Sequence, residues 1–190
     1  MINPRDCQKF DDNQLVSLSL TDNQYFYCLM KRYEDKLATY THRLLFLSPD
    51  DVSDIVQNSF IKAYQHLNDY DPGLKFSSWI YRIVHNEAVN FFKKNRTAFQ
   101  INLPDESDHL IDWLVADINI EKETIDLHHR QEIKDLLNQL KPEYKDVLIL
   151  KFFEGKDYSE ISDILQKPMG TVATLISRAK IQFKKIYEKK

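Results

Sequence analysis

Apolar residues recur every three or four positions along most of this chain of 190 residues, and only three glycines are present. The clearest examples are residues 49–67 and 76–91, where the apolar positions fall on one side of a helix with 3.6 residues per turn. Such one-sided stripes must pack against other helices. The pattern therefore predicts an all-α protein.

The first of these helices has a well-defined start. Ser48 can cap it, Pro49 fits its first turn, and Asp51 completes an S-x-x-D capping box. Its predicted core stripe is Val52, Ile55, Val56, Phe60, Ala63, Tyr64 and Leu67. Asp54, Gln57 and Asn58 face away from that stripe, so the outer face is acidic and rich in amides.

The second helix, near residues 77–95, has a different outer face. Its predicted core stripe is Phe76, Trp79, Ile80, Ile83, Val84 and Phe91, and its predicted outer face is Tyr81, Arg82, His85, Asn86, Asn90, Lys93 and Lys94. Aromatic rings beside amides and cations suit unstacked bases and their phosphates. The two outer faces suggest two partners, a basic protein and a nucleic acid, although each face could also be merely solvated.

The rest of the chain suggests two small helical domains. Residues 1–12 are expected to be a loose tail, and residues 13–96 to form a four-helix bundle in which Thr21, Asp22 and Asn23 separate the first two helices. Residues 97–120 read as an acidic, flexible linker. Residues 121–190 are expected to hold helices near 121–139, 142–153, 158–166 and 169–187.

The last two of these helices have the spacing of a helix-turn-helix. A short bracing helix from Tyr158 to Gln166 and a turn at residues 167–170 precede a second helix that could enter a DNA major groove. Inward positions are Val172, Ile176 and Ala179, which leaves Ala173, Thr174, Ser177 and Arg178 toward base edges. Arg178 could donate to guanine.

The charge distribution limits how such a protein could bind DNA. A net charge of −3 and a pI near 6.1 are unusual for a protein that grips duplex DNA alone. Charges are segregated instead: residues 105–126 carry eight acidic residues against one lysine, and residues 167–190 carry seven cations against one glutamate. Separate contacts are expected rather than one uniform surface.

Two cysteines, Cys7 and Cys28, lie far apart in the sequence and lack metal-ligand spacing. Both are expected to be reduced thiols. The sequence lacks an apolar run of about 18 residues and the features of a signal peptide, so a soluble cytoplasmic protein without membrane insertion is expected. An alternative interpretation is an enzyme in which Asp50, Asp51 and Asp54 form a metal-binding cluster.

The motifs resemble those of a known family. Asp51-x-x-Asp54-x-Val56-Gln57-x-x-Phe60-x-x-Ala63-Tyr64, followed by Phe76-x-x-Trp79-Ile80-Tyr81-Arg82-Ile83-x-x-Asn86, closely resembles region two of bacterial RNA polymerase sigma factors of the extracytoplasmic-function (ECF) group. The Gly170-Thr171-Val172 and Arg178-Ala179-Lys180 segments resemble region four of the same group, although Ala173 and Leu175 replace cations that are common there.

This resemblance implies a non-enzymatic initiation factor that needs no cofactor or metal and binds core RNA polymerase, promoter DNA and an anti-sigma factor. It implies core-polymerase contacts at Asp51, Asp54, Gln57 and Asn58, the last replacing a usual glutamate. It implies minus-ten contacts at Lys62, His66, Tyr70, Arg82, Ile83, Asn86, Lys93 and Lys94, with Tyr70 stacking on a base. It implies minus-thirty-five contacts at Tyr158, Ala173, Thr174, Ser177 and Arg178.

Three alternatives stay open. The chain could be a sigma-like paralogue that binds polymerase or a regulator without initiating transcription. The acidic linker could be a plain tether or could thread a cationic channel. Trp79 could serve as a wedge in DNA melting instead of as a core residue.

Overall fold

The computed structural model describes residues 6–95 and 135–188, which fall into two compact helical units. All regular structure in these two ranges is helical, as the apolar spacing predicts. The predicted linker, residues 97–120, and the predicted domain limits at residues 96 and 121 lie outside the described residues, so they stay predictions. Most of the helix expected near 121–139 also lies outside them.

The first unit contains four α-helices: α1 (Asp12–Ser19), α2 (Phe26–Leu45), α3 (Pro49–Gln65) and α4 (Phe76–Lys94). Helices α2, α3 and α4 pack against one another and α1 packs on α2. The predicted break before α2 is present, because the Asp22 side chain caps a short 3-10 turn, Asn23–Tyr25.

The expectation of a loose N-terminal tail is wrong for residues 6–12. Asp6–Gln8 form a 3-10 turn, and Asp11 caps α1 in a capping box with Gln14. Arg32 holds the same segment from α2, since its guanidinium donates to the main-chain carbonyls of Cys7 and Phe10 at 2.8 and 2.9 Å. The segment is ordered by contacts with Arg32, which is more than 20 positions away, and the local sequence pattern does not reveal these contacts.

The expectation of reduced thiols is also wrong in this structure, because Cys7 and Cys28 form a disulfide with their Cα atoms 5.1 Å apart. Cys28 lies on α2 and is 1% exposed, whereas Cys7 is half-buried. The sequence gives no spacing signal for this pair, because the two residues meet only after the N-terminal segment packs across α2.

Helices α3 and α4 begin close to their predicted positions. Ser48 Oγ accepts from the Asp51 amide at 3.2 Å and donates to the Asp51 carboxylate at 2.7 Å, so the predicted cap is present. Phe46 ends α2 in the left-handed conformation, with φ of 54°, which turns the chain into α3. The apolar stripes of both helices form the core, except that Tyr64 is 45% exposed and that Ile83 and Phe91 are half-buried.

The predicted outer face of α4 is wrong for two residues. Tyr81 is 2% exposed and packs its ring on Tyr40 at 5.1 Å between ring centres. His85 is 8% exposed, and its Nδ1 lies 2.9 Å from the Tyr40 hydroxyl. Helix α2 covers this side of α4, so α4 is packed along two faces, one against α3 and one against α2.

The second unit contains α5 (Pro142–Leu148), a π-helical extension (Ile149–Phe153), α6 (Tyr158–Leu165) and α7 (Met169–Tyr187). Residues 135–139 are also helical. The inward positions predicted for α7, Val172, Ile176 and Ala179, are buried, and the core of this unit also includes Ile149, Leu175 and Phe183. Within the ranges described, no helix is long and apolar enough to cross a membrane.

Candidate nucleic-acid interface

The acidic face of α3 is exposed as predicted. Asp54, Gln57 and Asn58 are all exposed and lie within little more than one helical turn. Asp51 is only half-exposed, and its carboxylate accepts the hydrogen bond from Ser48. Asp51 therefore serves the helix cap, and the three later residues form the freely presented part of this face.

An open pocket of about 320 Å³ lies between the end of α3 and the middle of α4. This volume falls in the range of small-ligand sites. Its lining residues are Lys62, His66, Asp69, Trp79, Arg82, Ile83, Asn86 and Glu87. Five of the eight residues predicted for minus-ten contacts therefore lie together: Lys62, His66, Arg82, Ile83 and Asn86.

Two side chains of this pocket are already paired with carboxylates. Lys62 Nζ lies 2.5 Å from Glu87 Oε1, and His66 Nδ1 lies 2.9 Å from Asp69 Oδ2. Arg82, in contrast, makes no ion pair with any residue in the described ranges. The pocket thus combines one available guanidinium with a lysine and a histidine that a ligand would have to share with an acid.

Asn86 presents its side chain into the pocket and is exposed. Its amide makes no hydrogen bond to another residue of the described part of the chain, so one donor group and one acceptor remain for a ligand. Ile83 and the edge of Trp79 provide apolar surface beside it. Lys93 and Lys94 are exposed two turns further along α4, in its last turn.

Tyr70 does not line the pocket, so the expectation that its ring stacks on a base is not supported by its position. It is 6% exposed and packs against Phe76 and Trp79, with ring centres 5.6 and 5.5 Å away. Its hydroxyl lies 2.6 Å from both Asn13 Oδ1 and the Leu74 carbonyl. Burial raises the pKa of Tyr70, in keeping with this enclosed position. Tyr70 supports the pocket from beneath.

Three pocket residues were missed as contacts by the sequence reasoning, namely Asp69, Trp79 and Glu87. Glu87 directly follows Asn86 and lies one turn after Ile83, so helical spacing could have placed it near the pocket. Trp79 is both a core residue, at 6% exposure, and part of the pocket wall. Nothing in the sequence pattern signals that Glu87 pairs with Lys62 on another helix.

The helix-turn-helix geometry is present in α6 and α7. Asp157 and Glu160 cap α6 reciprocally, and Gln166 ends it in the left-handed conformation with φ of 51°. The turn is shorter than expected, because Met169 and Gly170 already belong to α7. Ser162 Oγ donates to the Lys167 carbonyl at 2.6 Å and so ties α6 to the turn.

Four of the residues predicted to read the minus-thirty-five element lie along one face of α7 by their helical spacing. Thr174, Ser177 and Arg178 are exposed and Ala173 is half-exposed. The Thr174 hydroxyl donates to the Gly170 carbonyl at 2.8 Å, which leaves it only acceptor capacity. Tyr158, at the start of α6, is 40% exposed and has Lys151 Nζ 5.3 Å from its ring centre.

Arg178 also borders a groove between α5 and α7. Its lining residues are Tyr144, Arg178, Ile181, Gln182, Lys185 and Ile186. Ile181 is 55% exposed, so this groove has apolar as well as cationic surface. Arg178 is the cation that joins the predicted base-reading side of α7 to this groove.

Residues 6–95 and 135–188 contain no group of three or more histidine, cysteine, aspartate or glutamate side chains that could hold a metal ion. Asp50 and Asp54 are exposed on α3 and Asp51 serves the cap. The carboxylates follow the helix surface rather than converging on one point.

Solved structures share the fold of this chain. The chain is similar to the structure of CnrH in complex with the cytosolic domain of CnrY, with a TM-score of 0.69 and 21% identity over 93% of this chain and 97% of that one. It is also similar to the sigma factor RpoE of Bartonella quintana, solved in complex with the anti-sigma factor NepR, with a TM-score of 0.64 and 20% identity over 86% and 96% of the two chains.

The sequence comparisons define the family. Residues 29–98 match Sigma-70 region 2, and residues 130–183 match Sigma-70, region 4. The ECF RNA polymerase sigma-E factor of Escherichia coli K12 is 31% identical over 170 residues, which cover 84% of each chain. The sigma-E factor of Haemophilus influenzae is 29% identical over 178 residues, 91% of this chain and 93% of that one. This chain belongs to the ECF RNA polymerase sigma factors, the promoter-recognising initiation factors of transcription.

Proposed function

We propose that the chain is a dissociable subunit of RNA polymerase with three binding surfaces. The outer face of α3 binds core polymerase, the pocket between α3 and α4 captures an unpaired base of the minus-ten element, and α7 contacts the minus-thirty-five element. The protein acts by binding rather than by catalysis, needs no cofactor or metal, and works in the cytoplasm beside polymerase.

Core docking is assigned to Asp54, Gln57 and Asn58, with Asp51 contributing at the edge. Their support is exposure on one face of α3 and a chemistry that complements a basic helical partner. Asn58 replaces a glutamate that is usual in the family, so this face carries one charge less than expected. Docking on polymerase also brings positive charge near the DNA, which offsets the net charge of −3.

The main support for the proposed function is the pocket between α3 and α4. A base extruded from the non-template strand needs an apolar surface, a hydrogen-bonding group for its edge and a cation for its phosphate. Ile83 and Trp79 provide the first, Asn86 the second and Arg82 the third. We assign phosphate contacts further along the strand to Lys93 and Lys94, which are exposed in the last turn of α4, and a further strand contact to His66, which lines the pocket.

Asn86→Ala tests this capture directly. With the chain bound to core polymerase, its affinity for a fluorescent non-template minus-ten strand should fall about tenfold, the loss expected for one to two hydrogen bonds. Asn90→Ala is the matched control, because Asn90 is exposed one turn later on α4 and lies outside the pocket lining. Equal affinities for the two variants would refute the pocket as the capture site.

Duplex contact is assigned to Tyr158, Ala173, Thr174, Ser177 and Arg178. Among these residues Arg178 is the one cation, and a bidentate arginine–guanine pair is the commonest specific contact that such a helix makes. Thr174 and Ser177 discriminate less. Recognition of the minus-thirty-five element is therefore expected to be weak and to depend on one base pair.

This cation-poor helix favours one alternative, a paralogue that binds polymerase or a regulator without initiating transcription. CnrH was solved in complex with the cytosolic domain of CnrY, and the Bartonella quintana RpoE in complex with the anti-sigma factor NepR. An anti-sigma partner is part of our proposal for this chain too. Tight binding to core polymerase without promoter-dependent transcripts would favour the paralogue.

A further inference from the structure

The N-terminal segment, residues 6–13, is fixed to the first unit at two places on α2. The Cys7–Cys28 disulfide joins it covalently. Arg32 donates to the carbonyl of Cys7 and, at 2.5 Å, to the Asp12 carboxylate, which also accepts from the Tyr33 hydroxyl. We call this segment the N-terminal brace.

The last residue of the brace contacts the loop beneath the base pocket. Asn13 Oδ1 accepts from the Tyr70 hydroxyl at 2.6 Å, and Asn13 Nδ2 donates to the Pro72 carbonyl at 3.4 Å. The Tyr70 hydroxyl also lies 2.6 Å from the Leu74 carbonyl, and its ring packs on Trp79 in the pocket wall. A chain of direct contacts therefore runs from the disulfide segment through Asn13 and Tyr70 to the pocket.

We propose that the N-terminal brace positions the loop 70–74 for capture of the minus-ten base, and that its disulfide makes this positioning redox-dependent. Asn13 is the positioning residue, acting through Tyr70. The inference rests on the proposed function of the pocket. In the oxidised chain the brace holds the loop in the geometry seen here, and in the reduced chain the loop opens more often and captures the base less well.

A disulfide in a protein that works beside cytoplasmic polymerase fits a redox-sensing role, since lasting disulfides are uncommon in that compartment. The reductant we invoke is a dithiol protein. One of its thiolates attacks the half-buried Cys7 sulfur, and the buried Cys28 leaves as a thiolate that takes up a proton. The second thiolate of the reductant then releases Cys7. Two electrons and two protons end on the two cysteines, and the reductant ends as its own disulfide.

Amide hydrogen exchange of the full chain tests the mechanical part. The Gly73 amide donates to Asp71 Oδ1 at 2.8 Å and the Leu74 amide to the Asp71 carbonyl at 3.0 Å, so both report opening of the loop. Reduction with dithiothreitol should speed their exchange about tenfold, the ratio that corresponds to one lost hydrogen bond. Unchanged exchange would overturn the proposal.

Base capture is measured with the chain bound to core polymerase. The readout is the ratio of affinities for a minus-ten strand with the captured base and for the same strand abasic at that position. A brace with a merely structural role would leave this ratio unchanged, whereas the proposal expects reduction to lower it. A ratio that does not respond to reduction would contradict the coupling.

Two sets of variants serve as controls. Cys7→Ser/Cys28→Ser should show the values of the reduced chain with or without dithiothreitol. Asn13→Ala should show those values while keeping the disulfide, and Asn13→Asp, which retains an oxygen acceptor for Tyr70 but loses the donor to the Pro72 carbonyl, should restore the oxidised values in part. Failure of Asn13→Ala to change either readout would refute Asn13 as the positioning residue.

The exchange measurement needs neither polymerase nor DNA, so the two proposals fail separately. A redox-dependent loop in a chain without promoter activity would refute the proposed function and would support only the mechanical part of the proposal, the positioning of the loop by the brace. A redox-independent loop in an active chain would refute the brace. Alkylation of both cysteines in the air-oxidised chain would also refute it, because the disulfide would then be absent in solution.

Discussion

The Lys62–Glu87 pair suggests that the pocket binds its DNA strand more weakly than its residues allow. Glu87 Oε1 lies 2.5 Å from Lys62 Nζ, and the side chains are 18% and 50% exposed. A phosphate that approaches Lys62 must compete with this carboxylate. Glu87→Gln removes the negative charge and keeps the shape of the side chain, so Lys62 becomes available to the phosphate.

The expected gain follows from counterion release. On single-stranded DNA each neutralised phosphate adds about 0.7 to the slope of log affinity against log salt concentration, so between about 50 and 200 mM salt the variant should lose about 2.6-fold more affinity than the wild type. At low salt the variant should bind more tightly. Fold stability should change by less than about 1 kcal/mol, because the pair is partly exposed.

The assay is titration of the minus-ten strand into the polymerase-bound chain at a series of salt concentrations. Lys62→Gln/Glu87→Gln is the matched control, and it should show no gain over Lys62→Gln alone. An equal gain in the two backgrounds would mean that Glu87 repels the strand or contacts the base directly. An unchanged salt slope in Glu87→Gln would refute the reasoning.

Three further predictions concern α7, the docking face of α3 and the stability of the second unit. Arg178→Ala should weaken binding of the polymerase-bound chain to duplex minus-thirty-five DNA by about 1–3 kcal/mol in a competition assay, and an unchanged affinity would exclude α7 as the reader. Asn58→Glu restores a charge to the docking face and should tighten binding to core polymerase by up to about 1 kcal/mol at low salt; weaker binding would argue against this face. Burial raises the pKa of Asp146 from 3.8 to about 7 in the folded chain, whereas the unfolded chain keeps the lower value, so the stability of the second unit should fall as pH rises across this window. Hydrogen exchange of the α5 amides at a series of pH values measures this change in stability. Asp146→Asn should flatten the dependence of stability on pH. Lys145, whose pKa is lowered to about 8, titrates above the pH range of Asp146.

Features that depend on local spacing could be predicted from the sequence. The stripe from Val52 to Leu67 fixed which side of α3 is buried, and Ser48 fixed where the helix starts, because capping and helical periodicity involve residues a few positions apart. The exposed positions of Asp54 and Asn86 follow from the same periodicity.

Features that depend on distant residues could not. Tyr81 and His85 were assigned to solvent because their own helix does not reveal that Tyr40 packs over them. The sequence leaves the Tyr70 ring free to stack on a base, because its hydrogen bond to Asn13, 57 positions away, cannot be inferred from the loop. The Cys7–Cys28 disulfide was missed for the same reason.

Run-off transcription with purified core polymerase on a library of promoters tests the central claim most directly. The account predicts transcripts from a defined subset of promoters that share a minus-ten sequence, reduced by Asn86→Ala and not by Asn90→Ala. Tight binding to core polymerase without any promoter-dependent transcript would contradict it.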